Sequence, residues 1–182
     1  MWYAGIGSRR VPSDIVLKME KLAMEFAARD FTLRSGGADG SDAAFERGCD
    51  RLNGKKEIYL PWKGFNDSDS DLYDCYGNMH TTMAKLVYGP RWSEISDAVK
   101  KLMTRNTAQV VGLDDLDVAY SEFVVCWTPD GCETADKRNR NTGGTGQAIA
   151  LANELGIPVF NMANDHFDKQ MLHYMKGRSL FS

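Results

Sequence analysis

The stretch Phe31-Thr32-Leu33-Arg34-Ser35-Gly36-Gly37-Ala38-Asp39-Gly40-Ser41-Asp42-Ala43-Ala44-Phe45 decides the fold. Phe31 to Ser35 has the make-up of a short strand, and Gly36-Gly37 ends it. From Asp39 to Leu52 the apolar residues Phe45, Cys49 and Leu52 return at helical spacing and predict an inward face. A strand that passes through glycines directly into a helix opens a βαβ unit. The design occurs twice more. Trp2 to Gly7 is a short apolar strand running into Gly5-Ile6-Gly7-Ser8-Arg9-Arg10. The apolar strand Phe123 to Thr128 is followed, after a polar loop from Pro129 to Asn141, by Thr142-Gly143-Gly144-Thr145-Gly146-Gln147.

Outward from these turns, strands and helices alternate. Ile15, Met19, Leu22 and Phe26 mark one face of a helix over Ser13–Arg29, with Ser13 as its N-cap. Glu57–Leu60 is a third strand, stopped by Pro61, and Lys63–Asp74 is a polar surface loop. Helices are predicted over Leu72–Val87 and over Ser93–Asn106, the second with Ile95, Val99 and Leu102 on one face. That reading puts Arg105 and Asn106 at a helix end. A helix over Gly144–Leu155 is closed by Gly156 and Pro158. Val159–Asn161 is the last strand, and a final helix covers His166–Met175. The alternation predicts one α/β domain over residues 1–182, a doubly wound, mainly parallel sheet with helices on both faces.

Composition narrows the function. The chain has 182 residues, 43% of them hydrophobic, which is enough for a core without disulfides or metals. Lys and Arg number 22 against 25 Asp and Glu, a net charge of −3. That balance, and the lack of interleaved basic and aromatic residues, makes nucleic acid an unlikely partner. No apolar run reaches the ~20 residues that span a bilayer, and the start lacks a signal-peptide pattern, so a cytoplasmic protein is expected. Four cysteines without a CxxC pair read as reduced thiols, and three scattered histidines suggest no metal site.

Each glycine turn lets the backbone approach a ligand, and the helix that follows offers free N–H groups and partial positive charge to a phosphate. In doubly wound sheets such turns meet at the carboxyl ends of the strands. None of the three matches G-x-x-x-x-G-K-[ST], so ordinary ATP hydrolysis by a P-loop is not supported. The first turn ends in Arg10 rather than glycine, which disfavours a dinucleotide dehydrogenase.

Taken with Leu102-Met103-Thr104-Arg105-Asn106 and Val125-Cys126-Trp127-Thr128-Pro129-Asp130-Gly131, the three turns resemble the SLOG superfamily. This group of Rossmann-like proteins includes DprA/Smf-like DNA-processing proteins, lonely-guy-type nucleotide phosphoribohydrolases and nucleotide-sensing domains of bacterial defence systems. The chain looks similar to small stand-alone phage and bacterial members. The resemblance implies a nucleotide site built from Gly7, Ser8, Arg9, Ser35, Gly36, Gly37, Ala38, Asp39, Arg105, Asn106, Thr128, Gly143, Gly144, Thr145 and Gly146, with no further cofactor, and a homodimer or higher homo-oligomer. In lonely-guy-type enzymes a glutamate in the last turn helps cleave the N-glycosidic bond. Ala150 stands at that position here, and alanine can neither move a proton nor stabilise charge.

The expected function is therefore binding of a small phosphate-bearing nucleotide: ADP-ribose-like, NAD-derived or a cyclic nucleotide signal. The protein would act as a sensor, or as a sponge in an anti-defence role. One alternative is an N-glycosidase or phosphoribohydrolase in which Asp42 or Glu46, four apart on one helix face, replaces the missing glutamate. Another is DprA-like binding of single-stranded DNA.

Overall fold

The structure is a computed structural model that describes residues 1–113 and 119–179. Strands β1 (Trp2–Gly7), β2 (Thr32–Ser35), β3 (Lys56–Ile58), β4 (Val124–Trp127) and β5 (Val159–Asn161) form one parallel sheet in the order β3-β2-β1-β4-β5. This is the strand order of a Rossmann-like doubly wound fold. Helices α1 (Ser13–Ala28), α2 (Ser41–Asp50), α3 (Asn78–Tyr88), α4 (Asp97–Val111), α5 (Thr145–Glu154) and α6 (Phe167–Ser179) cover its two faces.

Strand alternation divides the core in two. Tyr3, Leu33, Phe123 and Val125 point to one face and pack with Met19 and Phe26 of α1, Phe45 of α2 and Met171 of α6. Tyr3 anchors this side: its ring lies 4.7 Å from Phe26 edge-on and stacks on Phe123 at 5.8 Å. Ala4, Ile6, Val124 and Cys126 point to the other face, against Val110 and Val111 of α4 and Ala148, Ile149 and Ala152 of α5. The strands are buried on both faces, which explains their continuous apolar runs. All four cysteines are free: Cys49, Cys126 and Cys132 are buried and Cys75 is exposed. Among the described residues no helix is long and apolar enough to cross a membrane.

Several boundaries differ from the sequence reading. Ser13 is the first residue of α1 rather than its cap, since Pro12 occupies the N-cap position and no side chain caps the helix. Helix α2 ends at Asp50, and Leu52 lies beyond it, 46% exposed rather than inward. Residues 68–76 are not helical. Tyr73 bridges to Leu60, and the Tyr76 hydroxyl donates to the Leu60 carbonyl at 2.6 Å. The predicted Ser93–Asn106 helix is two elements. Pro90–Glu94 makes a short 3-10 turn, Ile95 is extended, and the Ser96 hydroxyl then caps α4 by accepting from Val99 N at 3.4 Å. Helix α4 continues to Val111 because Val110 and Val111 are fully buried, so Arg105 and Asn106 lie inside it rather than at its end.

Candidate functional site

The chain winds from β1 through β2 to β3, then crosses back to β4 and β5 on the other side of β1. The connections leaving β1 and β4 therefore diverge and leave a crevice beyond the carboxyl ends of these strands. A cleft of about 250 Å³ opens here, between the end of β1, the start of α2, the middle of α4 and the turn before α5. A larger groove of about 950 Å³ lies elsewhere, between α1 and α6. It is lined by side chains such as Phe26, Phe31 and Met171, and none of the glycine turns reaches it.

The first turn is fixed at its base. Ser8 N donates to the Trp127 carbonyl at 2.9 Å, and the Ser8 carbonyl accepts from Ser41 N at 3.1 Å and from the Ser41 hydroxyl at 3.0 Å. Gly7 permits this closure, since a Cβ there would stand 2.5 Å from the Ser41 hydroxyl and 2.6 Å from the Trp127 carbonyl oxygen. Ser8 and exposed Arg9 are thereby held on the cleft wall.

The third turn forms the opposite wall. The Thr142 hydroxyl donates to the Asp130 carboxylate and accepts from Asn139 N at 3.0 Å. Gly146 N donates to Gly143 O at 3.2 Å and Gln147 N to Gly144 O at 3.3 Å, so the helix begins as a tight turn. No side chain caps α5, and Gly143, Gly144 and Thr145 line the cleft. Asn106 of α4 ties this wall down by donating from Nδ2 to Gly144 O at 3.2 Å. An uncapped helix start presents free N–H groups and partial positive charge to an anion.

The second turn does something different. Its N–H groups point inward: Ala38 N donates to the Asp42 carboxylate at 3.4 Å, and Gly36 N bonds the same side chain. The turn thus cradles an anion from its own helix. Arg105 lies beside it, with Nη1 3.6 Å from Asp42 Oδ2 and donating to the Gly36 carbonyl. The Phe65 ring sits 5.7 Å from the guanidinium carbon. Both side chains of the pair line the cleft and are almost fully buried. Burial pushes the Asp42 carboxyl up to about 6, against the opposing pull of Arg105 and the two backbone N–H groups. Burial also lowers the Arg105 guanidinium from its ordinary value, and Asp42 opposes that shift. Arg105 Nε is buried without a hydrogen-bond partner.

The predicted residues separate accordingly. Gly7, Ser8, Arg9, Ala38, Asp42, Arg105, Asn106, Gly143, Gly144 and Thr145 meet at the cleft. Ser35, Gly36, Gly37, Asp39, Thr128 and Gly146 are not among its lining residues. Ser35 donates its hydroxyl to Gly5 O at 2.7 Å, and Gly37 and Asp39 accept from Asn66 Nδ2, each at 3.1 Å. Thr128, expected to reach a phosphate, is fully buried and accepts from Asn161 Nδ2 at 2.7 Å and Cys132 N at 3.2 Å. Gly146 O accepts from Arg138 Nη1 at 3.3 Å. Glu46 also lies outside the cleft, paired with Lys56 at 2.9 Å, and Ala150 is buried on α5. Gln109, Asn141 and Thr142 line the cleft but were not singled out. Gln109 stands four residues after Arg105 on one face of α4, and it was missed because the predicted helix stopped at Asn106.

Two solved structures resemble the chain. One is DNA processing protein A from Helicobacter pylori, solved in work on its single-stranded DNA binding mode. It shows 17% identity and a TM-score of 0.47, over 88% of this chain and 64% of that one. The other is DprA from Streptococcus pneumoniae, with 15% identity and a TM-score of 0.49, over 96% of this chain and 56% of that one. The chain therefore spans less than two thirds of either neighbour. No protein-family model matches it, and no curated protein matches it.

The first neighbour is described by its binding of single-stranded DNA, and the expectation that nucleic acid is an unlikely partner is withdrawn. The physical reason is that net charge sums the whole surface, whereas binding depends on the local field. Arg9 lines the cleft, and exposed Arg138 and Arg140 precede its Asn141–Thr145 wall. Neither Arg9 nor Arg140 forms an ion pair among the described residues.

Proposed function

We propose that the cleft binds a nucleotide phosphate, presented by single-stranded nucleic acid or by a free nucleotide. The observation that carries this reading is a convergence. The uncapped start of α5 and the unpartnered Nε of buried Arg105 belong to one cleft at the switch point of the sheet. Cleft size supports the strand form. About 250 Å³ is below the ~300–1,000 Å³ of ordinary small-molecule pockets. It suits a phosphate with its sugar, leaving the base at the rim, rather than a whole dinucleotide. Arg9 on the cleft wall, with exposed Arg140 just before Asn141 in sequence, would supply charge for adjoining phosphates. The SLOG-like turns support the same chemistry, as binding without turnover, since Ala150 lacks the proton-transfer group of the lonely-guy enzymes.

Fluorescence anisotropy with a labelled thymidine oligonucleotide, and with labelled linear and cyclic mononucleotides, tests this reading and separates its two sources. Binding of the oligonucleotide alone identifies a strand binder, and binding of a mononucleotide identifies a small-ligand protein. Arg9→Ala is expected to weaken the complex by about tenfold or more, the worth of a charge-assisted hydrogen bond. Failure of the wild-type protein to bind any of these probes would overturn the proposal.

A further inference from the structure

We propose that anion binding in the cleft is coupled to uptake of one proton by Asp42, so that affinity rises as the solution is acidified. This rests on the phosphate-binding reading above and assigns a regulator to the same site. The argument is geometric. The cleft holds one buried cation, Arg105, and a carboxylate of the protein's own already stands 3.6 Å from it. Asp42 also occupies the N–H groups of Gly36 and Ala38. A ligand phosphate entering beside Arg105 brings a second negative charge to one guanidinium in a water-poor site, and like charges so placed do not both persist. Protonation removes the charge of Asp42 and leaves Arg105 to the ligand.

The surroundings isolate this titration. Arg105 and Gln109 face the site from α4, and Arg9 faces it from the β1–α1 turn. On its own helix Asp42 feels Glu46, which meets Lys56 at 2.9 Å, a lysine it shares with Asp50 at 2.6 Å. The second turn contributes N–H groups, and its Asp39 points outward to Asn66. From residues 65–76, Phe65 covers Arg105, and burial raises the Tyr76 phenol, so it stays neutral beside the pair. No histidine is near: His80 is fully buried between Gly77 N and Gly112 O, His166 pairs with Glu133, and His173 is exposed on α6. Burial already pushes the Asp42 carboxyl to about 6, so a proton is within easy reach near neutrality.

The test is calorimetric titration of the full chain with a thymidine oligonucleotide and with a cyclic mononucleotide. Phosphodiesters do not themselves titrate between about pH 5 and pH 8, so any proton taken up belongs to the protein. Each measurement is repeated in two buffers of different ionisation enthalpy. The expected result is uptake approaching one proton above about pH 7, with affinity falling by up to about tenfold per pH unit, the limit for one linked proton. Asp42→Asn is expected to abolish the uptake and flatten the profile. Carboxyl NMR of the wild-type protein supplies a readout without mutation, in which the Asp42 midpoint moves up when the probe is added. Binding with a flat pH profile and no proton uptake overturns the coupling while leaving phosphate binding intact. Absence of binding even at about pH 5 overturns both.

Discussion

Asp42 and Arg105 concentrate the chemistry of the cleft into one pair. A carboxyl that titrates near 6 when folded and near ~3.9 when unfolded binds its proton more tightly in the native chain. Its contribution to stability is thus fully present below about pH 4 and is lost as pH rises through about 6. Urea unfolding should show Asp42→Asn gaining on wild type from pH 4 to pH 8 by on the order of 2 kcal/mol. Gly36 is the second sensitive residue. A Cβ there would lie 1.4 Å from Arg105 Nη1 and 2.6 Å from Gln109 Nε2. Gly36→Ala should displace the guanidinium, cost about 1–3 kcal/mol of stability and reduce oligonucleotide binding together with it. At this scale the sequence put Asp42 and Arg9 beside glycine turns, whereas Arg105 entered the site only through the SLOG resemblance. The sequence did not show that the second turn spends its N–H groups on Asp42, because that depends on how Gly36 to Asp42 close in three dimensions. Thr128 misled for a similar reason. A hydroxyl at a strand end can serve a ligand or a neighbouring loop, and Asn161 took it.

Among the elements, α4 decides where the cleft lies. Its start is set by Ser96 and its extension by the buried Val110 and Val111. Ser96→Ala removes the cap and should cost about 1 kcal/mol, a drop of roughly 2–4 °C in melting temperature, with oligonucleotide binding unchanged. Periodicity found the helix but placed it several residues early. Ile95 fell on the apolar face by spacing, although it lies outside the helix behind the turn that Pro90 opens. The Leu72–Val87 prediction missed its start for a different cause. Ser70 donates to the Ile58 carbonyl at 2.6 Å and Tyr76 to Leu60, and these tertiary bonds hold the segment extended. Glycine turns were more legible than helix boundaries because their backbone demands are local, whereas boundaries answer to distant contacts.

At the scale of the whole molecule, the parallel sheet and its two apolar faces follow from strand–helix alternation and from continuous strand runs such as Phe123–Trp127. The position of the crevice followed once the glycine turns were assigned to strand ends. What escaped was the distribution of charge, because a net charge of −3 does not say where exposed arginines such as Arg9 and Arg140 stand. Affinity for a thymidine oligonucleotide should therefore fall as salt rises, with a log–log slope of about −0.7 per phosphate contacted. Arg140→Ala should make that slope shallower by somewhat under one unit, and an unchanged slope would remove Arg140 from the interface. The cysteines have a practical consequence. Three of the four are sealed inside the core, so a maleimide dye should attach once per chain, at Cys75. Burial raises the Cys75 thiol, so labelling is best done in mildly alkaline buffer. The dye would stand on the segment of residues 65–76, whose Phe65 covers the Arg105 guanidinium. It would give an optical reporter of cleft occupancy without engineering the chain.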